Sequence, residues 1–253
     1  MDVERHNHEQ IEALNQRGGR TLSVVDLIRA GTLSVEMAAY AMRAMAQGAS
    51  LLTGARPGGA GKTTLMASLL HLLPPETRIV AVDHPGVVAD AAARRPAEPE
   101  CYLAHEIGSG HWFGYIWGRT VAGFLSLAEG PRRIASCLHA DTLGELTDIL
   151  CSPPLGVSRQ ALGRVGLILF IHVRPGPGGV RRRVAAFHEA DGQGGHRLVF
   201  RWDERSDAFA RAGDVRDESV LQPYTDFIAQ LVEEGDEKVE AVRRNALAFY
   251  RRT

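Results

Sequence analysis

Seven consecutive residues, Gly58-Gly59-Ala60-Gly61-Lys62-Thr63-Thr64, carry the clearest chemistry in this chain. Glycines at this spacing let consecutive backbone N–H groups turn inward and approach phosphate oxygens, and the positive end of a following helix adds to the attraction. A lysine in the next place reaches the β- and γ-phosphates, and a threonine hydroxyl after it holds Mg²⁺. The expected ligands are therefore ATP and Mg²⁺, with Gly58 to Thr64 as the cradle and Thr63 on the metal. The pattern asks for glycine at position 56, where this chain has Arg56 followed by Pro57. Lysine is otherwise scarce: Lys62 and Lys238 are the only two, every other cationic position being arginine.

Three further side chains are candidates for work on a bound phosphate. Asp83 closes the apolar run RIVAVD, where ligands of open α/β sheets bind, although a turn-capping acid would look the same. Glu106 is a carboxylate that could position water, or a solvated loop acid. His139 ends another apolar run, where a histidine alone is more often a satisfied core or turn group. Arg181-Arg182-Arg183 could send one guanidinium toward a neighbour's nucleotide, though an alternating strand also exposes arginines to water. Other patterns fail on spacing. His105-Glu106 and His111 lie too far apart for the H-E-x-x-H zinc helix, and Gly108-Ser109-Gly110 is not a nucleophile elbow. Trp112, Tyr115 and Trp117 read as core or interface. Arg94-Arg95 is too little for the arginine lid of a small-molecule kinase.

The elements that must hold these groups follow from periodicity. Ser50 to Gly54, Arg78 to Asp83, Arg133 to Ala140 and Val165 to Val173 are strand-length apolar runs. Leu65 to Leu73 is an apolar helix ended by Pro74-Pro75. Ser34 caps a helix reaching Gln47, and residues 141–150 read as a helix capped by Asp141 or by Thr142, with Glu145 as the capping-box partner if Thr142 is the cap. Residues 91–100 look like a loop. After the turn at 175–179, residues 181–190 and 196–203 alternate as antiparallel strands, and helical spacing runs from Ser219 to the end. The first 20 residues are polar, pass through Arg17-Gly18-Gly19-Arg20, and are expected to be a flexible arm with His6 and His8 disordered.

Composition sets the outer limits. The 253 residues carry 29 Lys and Arg against 30 Asp and Glu, a net charge of −1, which argues against nucleic-acid binding through bulk charge. Three cysteines without C-x-x-C spacing indicate neither a disulfide framework nor a zinc ribbon. The polar start is unlike a secretory signal, and no apolar run approaches the roughly 20 residues of a membrane span. A cytoplasmic protein, with peripheral contact to the inner membrane through a partner, is the expectation.

In order along residues 22–253, the chain resembles the ATPases of type II and type IV secretion systems, the motors of secretion, pilus assembly and the archaeal flagellum. SVVDLIRAGTLSVEMAAYAMRAMAQGASLLTG and GKTTLMASLLHLLPPETRIVAVD carry the first half of the likeness. Ser136-Cys137-Leu138-His139-Ala140-Asp141 is similar to the family's His box, which implies that His139 senses the γ-phosphate, and Asp83-His84 stands where its Asp box has Glu-Asp. GGVRRRVAAFHEADG, LVFRWDERSDAF and the closing helical stretch complete it. The resemblance implies a RecA-like P-loop core: a mostly parallel sheet flanked by helices, with late antiparallel strands and a helical C-terminal tail. It divides the chain into an N-terminal arm and helical extension, 1–48, and an ATPase domain, 49–253. It also implies a homo-oligomeric ring, a hexamer, moving secretion or pilus machinery.

Two departures are expected. The family's glutamate-bearing strand is matched to His111–Arg119, which has no carboxylate, so general-base assistance worth roughly 10²–10⁴-fold would be missing. Only a short arm precedes Thr21 in place of the family's N-terminal sensing domain. Two functions stay open on these grounds: a motor that hydrolyses Mg-ATP, with Asp83 or Glu106 positioning water, or a hydrolysis-deficient nucleotide-binding relative beside an active ATPase.

Overall fold

The computed structural model describes residues 2–15, 18–176, 179–213 and 218–252. Arg17 and the centre of the turn at 175–179 lie outside them. Helices α1 (Val3–Glu12), α2 (Val24–Arg29) and α3 (Val35–Ala46) precede strand β1 (Leu51–Gly54) and helix α4 (Lys62–Leu70). Next come β2 (Arg78–Ala81), α5 (Pro85–Ala93), β3 (Glu100–Leu103), β4 (Glu106–Ile107), β5 (Tyr115–Ile116), α6 (Arg119–Ser126) and β6 (Arg132–Leu138). Helices α7 (Leu143–Cys151) and α8 (Arg159–Gly163) lead to β7 (Leu167–Gly176), β8 (Gly179–Ala190), β9 (His196–Asp203) and β10 (Ala208–Arg211). Helices α9 (Glu218–Glu234) and α10 (Val239–Tyr250) close the chain.

One sheet runs β10-β9-β8-β7-β1-β6-β3-β2, with the short β4 beside β6 and β5 beside β4. The block β7-β1-β6-β3-β2 is parallel and β8 to β10 are antiparallel. Numbered in chain order, the parallel strands stand 5-1-4-3-2, the RecA-like arrangement, and the chain changes direction across the sheet at β1. Ligands of open α/β sheets bind outside the strand ends at such a switch point. The loop after β1 is the phosphate-loop candidate.

The strands are continuous apolar runs because both faces are covered. Alternate residues face opposite sides. Leu51, Leu167, Leu169 and Ile171 join one core beneath the first four and last two helices, whereas Leu52, Ile168 and Phe170 join a second beneath α5 to α8. Under α3, Tyr40 meets Phe187 and Phe200 edge-on at 5.7 and 5.5 Å, which fastens the antiparallel strands to the helical layer.

Two regions depart from the sequence reading. Residues 91–93 finish α5 and Glu100 opens β3, a four-residue strand that follows Pro99 and is too short to show periodicity. The polar start is a packed helix. Asp2 caps α1, and Asn7, 4% exposed, pairs with the backbone of the outermost strand. Its Nδ2 donates to Thr77 O and its Oδ1 accepts from Ile79 N, both at 2.8 Å, so one side chain stands in for a neighbouring strand. His6 reaches Ile79 O at 2.9 Å, and His8 lies over His71 with ring centroids 6.2 Å apart. Asn7→Ala should cost about 1–3 kcal/mol in urea unfolding, because it strands a buried donor and acceptor. An unchanged midpoint would contradict this.

Candidate functional site

The loop geometry follows from the end of β1. A Cβ at Gly54 would stand 2.6 Å from Ala140 O and 2.7 Å from the Phe170 ring, so only glycine lets the chain leave the sheet there. Gly59 and Gly61 then take φ values of 76° and 98°, the left-handed region. Gly61 caps α4 without a side-chain bond, so the first N–H groups of that helix are available to an anion. Arg56, at the position where glycine was wanted, has no left-handed φ. Its N–H donates to Asp141 Oδ1 at 2.7 Å and its guanidinium pairs with Glu145, so the side chain turns away from the cradle.

Glu106 changes the reading of the site. The stretch His111–Arg119 forms a loop, the outlying β5 and the start of α6, not a central strand. On the side of β6 away from β1 stands β3, and the third residue beyond its end is Glu106, which opens β4. This carboxylate, with its side chain 13% exposed, lies 3.8 Å from Lys62 Nζ through Oε2 and 3.2 Å from His139 Nε2 through Oε1. Residues 111–119 are therefore not the strand that brings a carboxylate toward Lys62; β3 is, and only its first residue, Glu100, lies in the stretch 91–100 that reads as a loop. The available signal was the run Cys101-Tyr102-Leu103-Ala104 directly before His105-Glu106.

His139 completes the cluster. Its Nδ1 donates to Arg56 O at 2.6 Å, and Lys62 Nζ lies 3.4 Å from the ring. The ion pair to Glu106 exists when the ring is protonated. Buried Lys62 is thus held between a carboxylate and an imidazole at the floor of a cleft of about 630 Å³, which Thr63, Trp112 and Tyr115 also line. Asp83 is not brought here. It lies exposed after β2, 3.7 Å from His84 and three strands from β1, and lines neither cavity beside the loop.

Thr63 and Glu106 offer hard oxygen atoms of the kind Mg²⁺ takes. The one soft donor between them, Cys137, lies 3.8 Å from Thr63 Oγ1 and donates to His105 O at 2.9 Å. Burial pushes its thiol up to about 12, so it stays protonated at neutral pH and does not compete as a ligand. The donor set fits Mg²⁺. Sequence reading had passed over Cys137. It also left the arginine run undivided: Arg181 and Arg183 pair with Asp207, whereas Arg182 Nη2 donates to Gly59 O at 3.3 Å.

Of the aromatic residues read as core or interface, Trp112 and Trp117 are exposed and Tyr115 is half-buried; exposed Phe113 meets buried His105 edge-on at 5.2 Å. Burial lowers the His105 pKa. Among the described residues, no three or more His, Cys, Asp or Glu side chains converge as a metal site, and no helix is long and apolar enough to cross a membrane.

The strand order and loop define a RecA-like P-loop fold. No protein-family model and no curated protein matches the sequence. Among solved structures, the chain is similar to the VirB11 ATPase of the Brucella suis type IV secretion system, determined in complex with sulphate. The identity is 16%, over 72% of this chain and 61% of that one, with a TM-score of 0.43. It is also similar to the ATPase DotB of Legionella pneumophila, at 16% identity over 83% and 54% of the respective chains and a TM-score of 0.38. The chain thus spans less than two thirds of the length of either.

Proposed function

We propose that this protein is a secretion-type ATPase: it binds Mg-ATP on the loop after β1, hydrolyses it, and works as a homo-oligomeric ring, a hexamer, on secretion or pilus machinery. The observation that carries the reading is the meeting of Lys62, Glu106 and His139 at the phosphate loop. The backbone from Gly58 to Thr64 would cradle the phosphates, with Lys62 on the β- and γ-oxygens and Thr63 on the metal. Bound Mg²⁺ would neutralise phosphate charge and polarise the γ-phosphoryl group. Glu106 would orient the attacking water and take its proton, and His139 would register the γ-phosphate. Residues 49–253 form the ATPase domain in this reading, and 1–48 its arm and helical extension. The site of action is the cytoplasm, with contact to the inner membrane through a partner.

The motive for a hydrolysis-deficient relative was a missing carboxylate, and Glu106 beside Lys62 favours turnover instead. Asp83, remote from Lys62 within one chain, is assigned no role with water. The test is phosphate release from Mg-ATP, wild type against Lys62→Ala, over a range of protein concentration. A rate that depends on Lys62 and rises faster than linearly with concentration is expected, because the site would be completed between subunits. Equal backgrounds for both proteins at every concentration would overturn the ATPase reading.

A further inference from the structure

A second cavity, of about 520 Å³, opens on the other side of the same loop, where Gly59, Gly61 and Thr64 face Leu22, Ile171 and the start of β8. Three consecutive guanidinium groups border it, and their partners differ. Arg183 holds both oxygens of Asp207 at 2.9 and 3.0 Å and donates to Ala30 O at 3.1 Å, and Arg181 reaches Asp207 at 3.3 Å. Trp202 Nε1 donates to the same carboxylate at 2.9 Å, which fixes the acceptor. Exposed Arg182 instead crosses to the phosphate loop, where it donates to Gly59 O at 3.3 Å. Its Cδ lies 3.5 Å from where a Cβ on Gly61 would stand.

The charge distribution gives this contact a use. Glu106, 3.8 Å from Lys62, offsets much of the lysine's field, so a polyphosphate on the loop would gain from a cation beyond Lys62 and Mg²⁺. A guanidinium bound to a neutral carbonyl at 3.3 Å gains when it exchanges that acceptor for a phosphate oxygen, because charge-assisted hydrogen bonds are shorter and about twice as strong. Arg181 and Arg183 are committed to Asp207, which leaves Arg182 as the member of the run placed for the exchange. We propose that Arg182 is a phosphate ligand for the nucleotide of its own subunit, entering from the Thr64 side, and that it leaves Gly59 O when nucleotide binds. This rests on the nucleotide-binding reading above and adds to it a cation supplied by the same chain.

Calorimetric titration with Mg-ADP tests it. Arg182→Ala should weaken binding roughly 10- to 100-fold, the range for a lost hydrogen bond to a charged group. Arg182→Lys should recover part of the loss, and the unliganded melting temperature should not change. Subunits of Lys62→Ala, which keep Arg182 but lack the loop lysine, should not restore ADP binding when mixed with Arg182→Ala. Restoration would show that the arginine acts across subunits and overturn the proposal. Wild-type affinity in Arg182→Ala would overturn it too, as would an equal loss in Arg182→Lys with a lowered unliganded melting temperature. If wild type itself shows no Lys62-dependent ADP binding, the nucleotide reading falls together with this one. Lys62-dependent binding that ignores Arg182 removes this one alone.

Discussion

Glu106→Gln should lower Mg-ATP turnover by roughly 10²–10⁴-fold, the usual contribution of a positioned general base, while nucleotide binding is kept or strengthened. The two effects separate because the amide keeps the size of the carboxylate but cannot accept a proton, and it no longer opposes the charge of Lys62 across 3.8 Å. Binding that depends on the field of Lys62 should therefore not fall. Single-turnover phosphate release beside an ADP titration reads both quantities. Asp83→Asn is the comparison, since its carboxylate lies exposed beyond the edge strand and lines neither cavity. Loss of turnover in Asp83→Asn with Glu106→Gln unaffected would move the water-positioning role to Asp83, and with it the site would have to be built from more than one chain.

That comparison also shows what the residues alone disclosed. The loop was legible because its glycines answer to backbone geometry that nothing else satisfies, and flanking apolar runs fixed its order between strand and helix. β9 was legible because it alternates, and α7 because Thr142 accepts from Glu145 N at 3.2 Å. β3 was not, since four buried residues after Pro99 have no period to detect. Without β3 the acid that follows it had no place, so Glu106 could be named as a candidate but not set beside Lys62. The helix α1 was hidden for a different reason. Its hold on the sheet is polar, Asn7 against the β2 backbone, and a polar segment looks like a flexible arm until the edge it covers is known.

Acid should unfold this protein in a window set by its buried histidines rather than its carboxylates. Burial holds the His71 pKa at about 4 against 6.5 for a free imidazole, with His8 and Arg243 adding repulsion. Its Nδ1 donates to Ala67 O at 3.0 Å, while buried Nε2 has no hydrogen-bond partner. His188 is likewise lowered to about 4, chiefly by burial, and His196 is lowered for the same leading reason. The unfolded chain thus binds more protons than the native one between pH 6.5 and about 4, so stability rises with pH across that interval. It is fully present above 6.5 and is lost as pH falls toward 4. His71 alone should remove about 2 kcal/mol between pH 7 and pH 5, and His188 should act in the same direction. Asp207, drawn down to about 2 chiefly by its bonds to Arg183, releases its stabilisation only at lower pH, so the two causes do not overlap. Urea midpoints measured from pH 7.5 to 5 should fall steadily, and His71→Leu should flatten that fall. A wild-type midpoint independent of pH, or an undiminished slope in His71→Leu, would mean that these rings are hydrated in solution and that the junction of α1, α4 and α10 is looser than the packing of His8, His71 and Arg243 requires.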